Sequence, residues 1–394
     1  MKQAWRWFGP KDPVSLDDVR QAGATDIVNA LHELAPGEVW TRAAVEARKN
    51  LVETTPPGRT PLTWSVVESI PVPDDVKRQG KGARASIEAW LASLEAVAAA
   101  GIRTVCYNFM PVADWTRTDL DWPTPTGATA LRFDNDRFAA FELYVLKRPG
   151  AEQDYDDAVK ARARAVLDTM SQDEVDTLTR TIAAGLPGAT TDALDLDAFR
   201  ARLAAYERID APTLRRHLIE FLEIVAPRAQ QLGVKLTLHP DDPPRPLFGL
   251  PRIASTAADY QALFDAVPSQ ANGMCFCTGS LGVRPDNDLP AMAAHFAPRI
   301  HFVHLRATKR EADPQSFHEA DHLDGDVDMV AVLAALVTED RRRDAAGKLP
   351  FRPDHGHRML DDLSKVTNPG YSAIGRLKGL AELRGVLRAV EALT

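Results

Sequence analysis

Four side chains of metal-binding type, His239, Cys277, His304 and Asp354, each stand at the end of a short apolar segment of the chain. Two imidazoles, a thiolate and a carboxylate make a mixed donor set. Imidazole suits Mn, Fe, Co, Ni and Zn, thiolate favours softer ions and carboxylate favours harder ones. If the four side chains converge, the set therefore indicates Fe2+, Mn2+, Co2+ or Zn2+ rather than Mg2+ or Ca2+. Because no CxxC or HExxH spacing occurs, a structural zinc finger is disfavoured.

Each of these residues, taken alone, would be interpreted as structural. A lone histidine on a strand is more often a packed or surface residue than a ligand, and a buried cysteine is commonly inert. Four in succession, at the ends of consecutive strands, are much less easily explained by chance. The neighbouring Cys106 and Cys275 are predicted to be core residues, and His301 has the wrong strand parity relative to His304.

A candidate proton carrier, His355, directly follows Asp354 in the stretch FRPDHGHRM. Gly356 lets the backbone turn at this point, so His355 leaves the strand near the metal ligands without being one of them. A histidine beside a metal-held substrate is a natural general acid or base. Tyr371, in the Pro-Gly turn of NPGYSAIGR, could share this proton transfer, although the residues alone favour simple packing against the last helix.

Four further side chains are predicted to bind substrate at the same end of the strands. Asn108 and Arg306 follow apolar segments, and Trp7 belongs to the first one, WRWFG. A basic residue in this position would suit a substrate carboxylate. His322 lies in the polar segment 316–329, which could be a second metal site, a substrate loop or the start of a helix rich in aspartate.

The elements that would position these residues alternate regularly. Amphipathic helical patterns end at a glycine and pass at once into a β-rich run, as in VRQAG–ATDIVNAL, LEAVAAAG–IRTVCYNFM and APRAQQLG–VKLTLHP. Such alternation predicts βα units and a parallel sheet. Eight strands in alternation with helices predict a (β/α)8 barrel of the TIM type, with a doubly wound open sheet as the alternative. The predicted strands are 6–9, 25–31, 62–70, 102–110, 234–240, 272–277, 299–306 and 348–356.

One interval is too long for this pattern. The fourth and fifth predicted strands are about 120 residues apart, whereas a loop and a helix need about 30. Residues 134–210 carry polar helical patterns and are predicted to be a helical insertion on one βα loop. We expect residues 1–394 to form a single barrel domain, and the exposed insertion favours a homo-oligomer, a dimer or higher.

The composition excludes several classes of protein. A net charge of −8 argues against a nucleic-acid partner and against an anionic membrane surface. The sequence contains no apolar run of 18 residues, so no transmembrane span is predicted. Three cysteines are too few for a disulfide framework, and the first residues lack the apolar core of a signal peptide, so a reducing, cytoplasmic location is expected.

Many segments in order resemble one family. WRWFG, VVESIP, NFMPVADWTRTDL, LTLHPDDPP, NGMCFCTGSLGVRPDND, HFVHLR, EADHLDGDVDM, FRPDHGHRMLDD and NPGYSAIGRLKGLAELRG together resemble mannonate dehydratase, of the xylose-isomerase-like barrel type. The resemblance extends over essentially the whole chain. A single PDHG would be a weak signal, whereas this many ordered segments form a specific one.

The resemblance implies dehydration of D-mannonate to 2-dehydro-3-deoxy-D-gluconate in glucuronate catabolism, with Mn2+ or Fe2+ as cofactor. It implies that the family's metal ligands match His239, Cys277, His304 and Asp354, and that its proton carriers match His355 and Tyr371. The alternatives are a metal-dependent sugar isomerase or epimerase, a phosphodiesterase or endonuclease, and a non-catalytic sugar-acid sensor. The thiolate and the scarcity of carboxylates disfavour the first, and the negative charge disfavours the second.

Overall fold

Eight parallel strands close into a barrel in a computed structural model of the chain, which describes residues 1–184 and 196–393. Around the barrel the strand order is β1-β12-β9-β8-β7-β4-β3-β2. The predicted (β/α)8 fold is thereby confirmed. Strands of the described residues are β1 (Lys2–Arg6), β2 (Asp26–Asn29), β3 (Thr63–Glu68), β4 (Thr104–Tyr107), β5 (Asp119–Pro123), β6 (Thr129–Phe133), β7 (Lys235–Leu238), β8 (Asn272–Cys277), β9 (Ile300–Leu305), β10 (Ala307–Arg310), β11 (Phe317–Ala320) and β12 (Pro350–Pro353).

Helices surround the barrel, and several more lie in the described part of the long interval between β4 and β7. A π-helical turn, Phe141–Val145, and two 3-10 turns, Ala297–Arg299 and Leu360–Ser364, add to them. Helices of the described residues are α1 (Leu16–Ala22), α2 (Arg42–Glu53), α3 (Asp74–Arg78), α4 (Ala83–Ala99), α5 (Asn135–Ala140), α6 (Ala151–Asp154), α7 (Asp157–Thr169), α8 (Gln172–Ala184), α9 (Leu196–Ala204), α10 (Ala211–Gln231), α11 (Ala257–Ala266), α12 (Thr278–Gly282), α13 (Leu289–Phe296), α14 (Met329–Arg342) and α15 (Ala373–Leu393).

The glycine stops predicted from the sequence are present in the structure. Gly23, Gly101 and Gly233 have φ angles of 78°, 84° and 67°, the left-handed conformation that ends a helix without a Cβ penalty. Ser15 caps α1, accepting a hydrogen bond from the backbone N–H of Asp18. At each of these glycines the helix ends, and the next barrel strand begins within a few residues.

The first strand lies earlier than predicted. It covers Lys2–Arg6 and closes the barrel against β12, with Lys2 opposite Pro350 and Gln3 opposite Phe351. The predicted range 6–9 therefore overlaps it by Arg6 only, because the aromatic residues of WRWFG continue past the last ladder position. Cys106 and Cys275 belong to the buried barrel interior, as predicted.

A second sheet, not predicted, covers part of the barrel mouth. We call it the mouth sheet; its four antiparallel strands follow the order β10-β11-β6-β5. Two of its strands come from the chain after β4 and two from the chain after β9. Stacked rings of Phe133 and Phe317, 5.7 Å apart, join the two halves. Sequence periodicity missed these strands because each has only four or five residues.

Helices occupy the described part of the predicted insertion, from α5 to α9. Residues 185–195 of that range lie outside the described residues. The strands β5 and β6 precede residue 134, so the chain leaves the barrel pattern earlier than predicted. The assignment of residues 1–394 to a single domain stays a prediction. Among residues 1–184 and 196–393, no helix has both the length and the hydropathy of a membrane span.

Close packing of α15 on the loop after β11 gives a first testable prediction. A Cβ atom on Gly379 would lie 2.1 Å from Cε1 of the buried His322 ring. We expect Gly379→Ala to lower the free energy of unfolding by about 2 kcal/mol, because an overpacked interior must shift. Urea denaturation measures this change. On the same helix Gly385 has no atom within 4 Å of such a Cβ, so Gly385→Ala should instead stabilise by about 0.5–1 kcal/mol.

Candidate active site

Four adjacent barrel strands bring the predicted metal ligands to one end of the barrel. His239 directly follows β7, Cys277 ends β8, His304 is the penultimate residue of β9 and Asp354 directly follows β12. The parallel ladder pairs Cys277 with His304, so these two residues share one level. Both side chains are fully buried, and Asp354 is 2% exposed. The carboxyl ends of barrel strands are where TIM-barrel enzymes place their chemistry.

The side chains are close enough to bind one ion. One ligand atom from each of His239, Cys277 and His304 lies within 4.8 Å of the other two. Nε2 of His239 is 3.2 Å from Nδ1 of His304. The nearest carboxylate oxygen of Asp354 lies 3.7 Å from the same His304 nitrogen and 3.9 Å from the Cys277 sulfur. Nδ1 of His239 contacts the Pro240 carbonyl at 2.7 Å, an arrangement that leaves Nε2 free to coordinate.

Electrostatics prepare the cysteine for metal binding. Burial raises the pKa of the Cys277 thiol, but Arg306 and the two ligand histidines outweigh burial and hold that pKa well below its usual range. The thiolate, rather than the thiol, is the form that binds metal. Arg306 also lies 2.9 Å from the Asp354 carboxylate. The donor set thus matches the chemistry of a divalent transition metal.

His355 and Tyr371 lie side by side next to the ligand cluster. Their rings meet edge to face, with centroids 5.2 Å apart. Nε2 of His355 is 3.8 Å from Asp354, and the Tyr371 hydroxyl is 3.5 Å from the same carboxylate oxygen. Burial raises the pKa of Tyr371 against the opposing effect of Arg6, so its hydroxyl is a proton donor at neutral pH. The His355 imidazole and the Tyr371 hydroxyl therefore both face the space next to the ligand cluster.

A pair of glycines fixes the loop that carries these two groups. The N–H of Gly356 donates to the Gly370 carbonyl at 2.9 Å, which ties the His355 turn to the Tyr371 turn. A Cβ atom on Gly356 would lie 2.4 Å from the backbone of Gly375, at the start of α15. Only glycine permits this close approach of two backbones. Sequence reasoning treated Gly356 as a turn residue, and the structure adds this packing role.

A pocket opens next to the ligand cluster, and six of the ten predicted site residues line it. Asn108 and Arg306 line it, whereas Trp7 and His322 are not among the described residues that do so. Trp7 packs into the apolar core between barrel and helices, and His322 packs against α15. Cys277 and His304 are likewise not among the described lining residues. Residues that line the pocket are Arg6, Glu68, Ser69, Cys106, Tyr107, Asn108, Met110, Asp114, Trp115, His239, Asp242, Arg306, Arg352, Asp354, His355 and Tyr371.

Several buried charges next to the site were not assigned a role from the sequence. Glu68 accepts from Arg352 at 2.9 Å and from Arg6 at 3.1 Å, and Asp242 contacts both Arg117 and Arg306. Burial raises the pKa of Glu68 and of Asp242, but the positive charge of the neighbouring arginines outweighs burial and lowers both pKa values. Arg352 shares strand parity with Asp354, which is a signal that could have been used. For Arg117, in a loop before β5, the sequence offers no such signal.

Comparisons with known proteins agree on one family. The family model for D-mannonate dehydratase (UxuA) matches residues 1–394. A mannonate dehydratase of Brucella melitensis biotype 2 is 64% identical over 392 residues, covering 100% of this chain and 98% of its own. One from Chromohalobacter salexigens is 57% identical over 396 residues, with full coverage of both chains.

A solved structure of lower sequence identity indicates the same family. The crystal structure of mannonate dehydratase from Streptococcus suis serotype 2 superposes with a TM-score of 0.78 at 31% identity, covering 100% of this chain and 95% of that one. A D-allulose 3-epimerase from a Methylomonas species, at 13% identity and a TM-score of 0.50, shares the fold alone. This chain therefore belongs to the D-mannonate dehydratase (UxuA) family.

Proposed function

We propose that the protein dehydrates D-mannonate to 2-dehydro-3-deoxy-D-gluconate, a carbon–oxygen lyase reaction of hexuronate breakdown, in this pocket. The full-length relatives are named for that activity. The observation that carries the proposal is the convergence of His239, Cys277 and His304 beside Asp354, with His355 and Tyr371 facing the same space. We also propose a cytoplasmic location, which the three free cysteines favour.

We propose Mn2+ or Fe2+ as the cofactor, held by His239, Cys277, His304 and Asp354. A divalent ion bound there supplies a Lewis acid that stabilises negative charge developing on the substrate. Arg306 balances the charge of the thiolate and of Asp354, and thus keeps both in the form that coordinates. The mixed donor set favours a borderline transition ion over Mg2+.

His355 and Tyr371 divide the proton transfers of the reaction. The C2 proton of D-mannonate lies α to the carboxylate, and its removal requires a base. The C3 hydroxyl is a poor leaving group and departs as water only when an acid protonates it. Both side chains lie within 4 Å of Asp354, so both can reach a substrate bound next to that ligand. The resulting enol then becomes the 2-keto acid.

We propose Asn108 and Arg306 as substrate contacts, because both line the pocket. Arg306 contacts three carboxylates, Asp242, Glu319 and Asp354, so it holds the site together as well as facing the substrate. Arg6 lies 3.4 Å from the Tyr371 hydroxyl and is a further basic group for the substrate carboxylate. Trp7 and His322 are not among the described lining residues of the pocket, and their contacts with the substrate stay predictions.

We propose that the chain forms a homo-oligomer. The turn that follows Met359 exposes three large apolar side chains, Leu360, Leu363 and Val366, at 71%, 42% and 85%. Apolar groups grouped on one exposed segment favour contact with a partner surface. Light scattering coupled to size-exclusion chromatography of the purified chain measures the assembly. Loss of the assembly in Val366→Asp would locate it at this turn.

The test of the proposed function is reconstitution. We expect metal-free protein to be inactive, and protein reloaded with Mn2+ or with Fe2+ under anaerobic conditions to form the 2-keto-3-deoxy acid from D-mannonate. A colour assay for 2-keto-3-deoxy acids or NMR of the product measures this. Tight metal binding without any product from D-mannonate would refute the substrate. Conversion of an aldose to a ketose would instead indicate an isomerase.

A further inference from the structure

Glu319 is a buried carboxylate that neither the metal site nor the proposed proton transfers use. It lies on β11 of the mouth sheet, opposite Thr308 of β10, and is 3% exposed. One of its oxygens, Oε1, is 3.1 Å from Nδ1 of His355. The mouth sheet therefore brings a carboxylate against the imidazole nitrogen that faces away from Asp354.

Two arginines keep this carboxylate ionised. Arg117 donates to Oε1 of Glu319 at 2.8 Å, and Arg306 contacts the same oxygen. Burial raises the pKa of Glu319, but Arg306 and its other partners hold that pKa at about 2. Asp242 contacts both arginines as well, so two carboxylates balance two guanidinium groups. An ionised carboxylate accepts hydrogen bonds and donates none.

We propose that Glu319 is a positioning residue for the dehydration: its carboxylate accepts the Nδ1–H of His355 and so directs Nε2 at the substrate. This role rests on the proposed function, in which His355 carries a proton. The atom left free is the one on the metal side, since Nε2 of His355 lies 3.8 Å from Asp354.

A hydrogen bond from Arg306 to Nδ1 of His355 is the alternative to the bond from Nδ1–H to Glu319. Nη1 of Arg306 lies 3.0 Å from the same Nδ1 and would donate to it if the proton were on Nε2. In that case, however, the Nδ1 lone pair would also face the Glu319 oxygen at 3.1 Å, two acceptors in contact. Arg306 already has Glu319 and Asp242 as acceptors and loses none of them when Nδ1 carries the proton. The carboxylate is therefore the stronger partner.

Neighbouring rings hold the imidazole plane in place. Trp115 meets the His355 ring edge to face at 6.0 Å, and Tyr371 does so at 5.2 Å. Two aromatic rings in contact with the imidazole oppose a ring flip that would exchange its two nitrogens. A carboxylate that fixes the tautomer of a catalytic imidazole has the same role in the serine-protease triad, where the amide replacement costs about 10^4 in kcat.

The kinetic test uses Glu319→Gln, whose amide can donate to Nδ1 and so favours the opposite tautomer. We expect kcat for D-mannonate to fall by about 10^2 or more, with KM and bound metal within about twofold of wild type. Glu319→Asp, which keeps the charge, should recover part of that loss. A purely structural role would change KM and metal content together with kcat and would overturn the proposal.

The chain offers a matched control at the edge of the mouth sheet, directly after β10. Glu311 contacts Nδ1 of His318 at 3.2 Å and accepts from Arg132 at 2.7 Å, the same three residue types outside the pocket. Glu311→Gln should leave kcat within about twofold of wild type. An equal loss of kcat in both variants would mean that weakening the mouth sheet, and not the tautomer, causes the effect.

A spectroscopic test does not depend on activity. In holoenzyme loaded with diamagnetic Zn2+ and labelled with 15N-histidine, we expect the His355 signal, assigned by its loss in His355→Asn, to show a protonated Nδ1. A protonated Nε2 with bare Nδ1 would overturn the proposal in favour of donation by Arg306. The tautomer of wild type decides the question even if Glu319→Gln fails to fold. If wild type binds metal but ignores D-mannonate, the proposed function fails, whereas the His355 signal still shows whether Glu319 accepts the Nδ1 proton.

Discussion

His355→Asn is expected to lower kcat for D-mannonate by about 10^3-fold while the protein keeps its metal ion. Asparagine keeps a polar atom near the position of Nδ1 but lacks the outer part of the ring that lies beside Trp115 and Tyr371. It cannot carry a proton, so one of the two transfers of the dehydration has to proceed without help. Steady-state kinetics and metal analysis of the same preparation measure both quantities.

The control for this variant is another histidine of the mouth. His318 stacks on Trp122 in the mouth sheet and does not belong to the described lining of the pocket. His318→Asn should keep nearly all of the activity. Turnover by His355→Asn within about threefold of wild type, with metal bound, would contradict the assignment of His355 as a proton carrier.

His304→Ala is expected to abolish dehydration by removing the metal. His304 is fully buried and lies between His239 and Asp354, so its loss opens the centre of the ligand set. Replacement of outer-sphere partners alone typically costs 10–100-fold in metal affinity, and we expect loss of this ligand to cost more than about 100-fold. Equilibrium dialysis against Mn2+ measures the affinity.

Strand β9 also provides the control for His304→Ala. His301 lies three residues earlier on β9, and its ring contacts the Gln270 carbonyl at 3.1 Å instead of the ligand cluster. His301→Gln can keep that hydrogen bond and should bind Mn2+ as wild type does. Full metal content in His304→Ala, with activity lost, would mean that His304 acts on the substrate and not on the ion.

The barrel and its ligand end were predictable because they depend on short-range rules. A helix that ends at Gly233 must continue as the strand that leads to His239, and the strand period then places side chains of equal parity on one face. The eightfold count fixes the closed sheet, and closure brings the ends of adjacent strands together. His239, Cys277, His304 and Asp354 are adjacent for this reason.

The features that the sequence did not predict depend on contacts between segments that are irregular and far apart in the chain. Glu319 belongs to the segment 316–329, which was predicted to be a second metal site, a substrate loop or a helix start. It lies instead on a four-residue strand whose partner, β6, is about 185 residues earlier. No local pattern specifies such a pairing. Trp7 and His322 were predicted at the mouth from their position in the sequence. Trp7 packs in the apolar core and His322 against Gly379, and their substrate contacts stay predictions.

Pairing of β1 with β12 has a consequence for how the protein is made. Lys2 and Gln3 acquire their partners, Pro350 and Phe351, only after nearly the whole chain has been synthesised. At ribosomal rates of about 5–20 residues per second, the first strand waits on the order of tens of seconds with one edge open. The four metal ligands extend from His239 to Asp354, so a nascent chain cannot assemble them. The complete set of four ligands is therefore available to an ion only after the last barrel strand has been made.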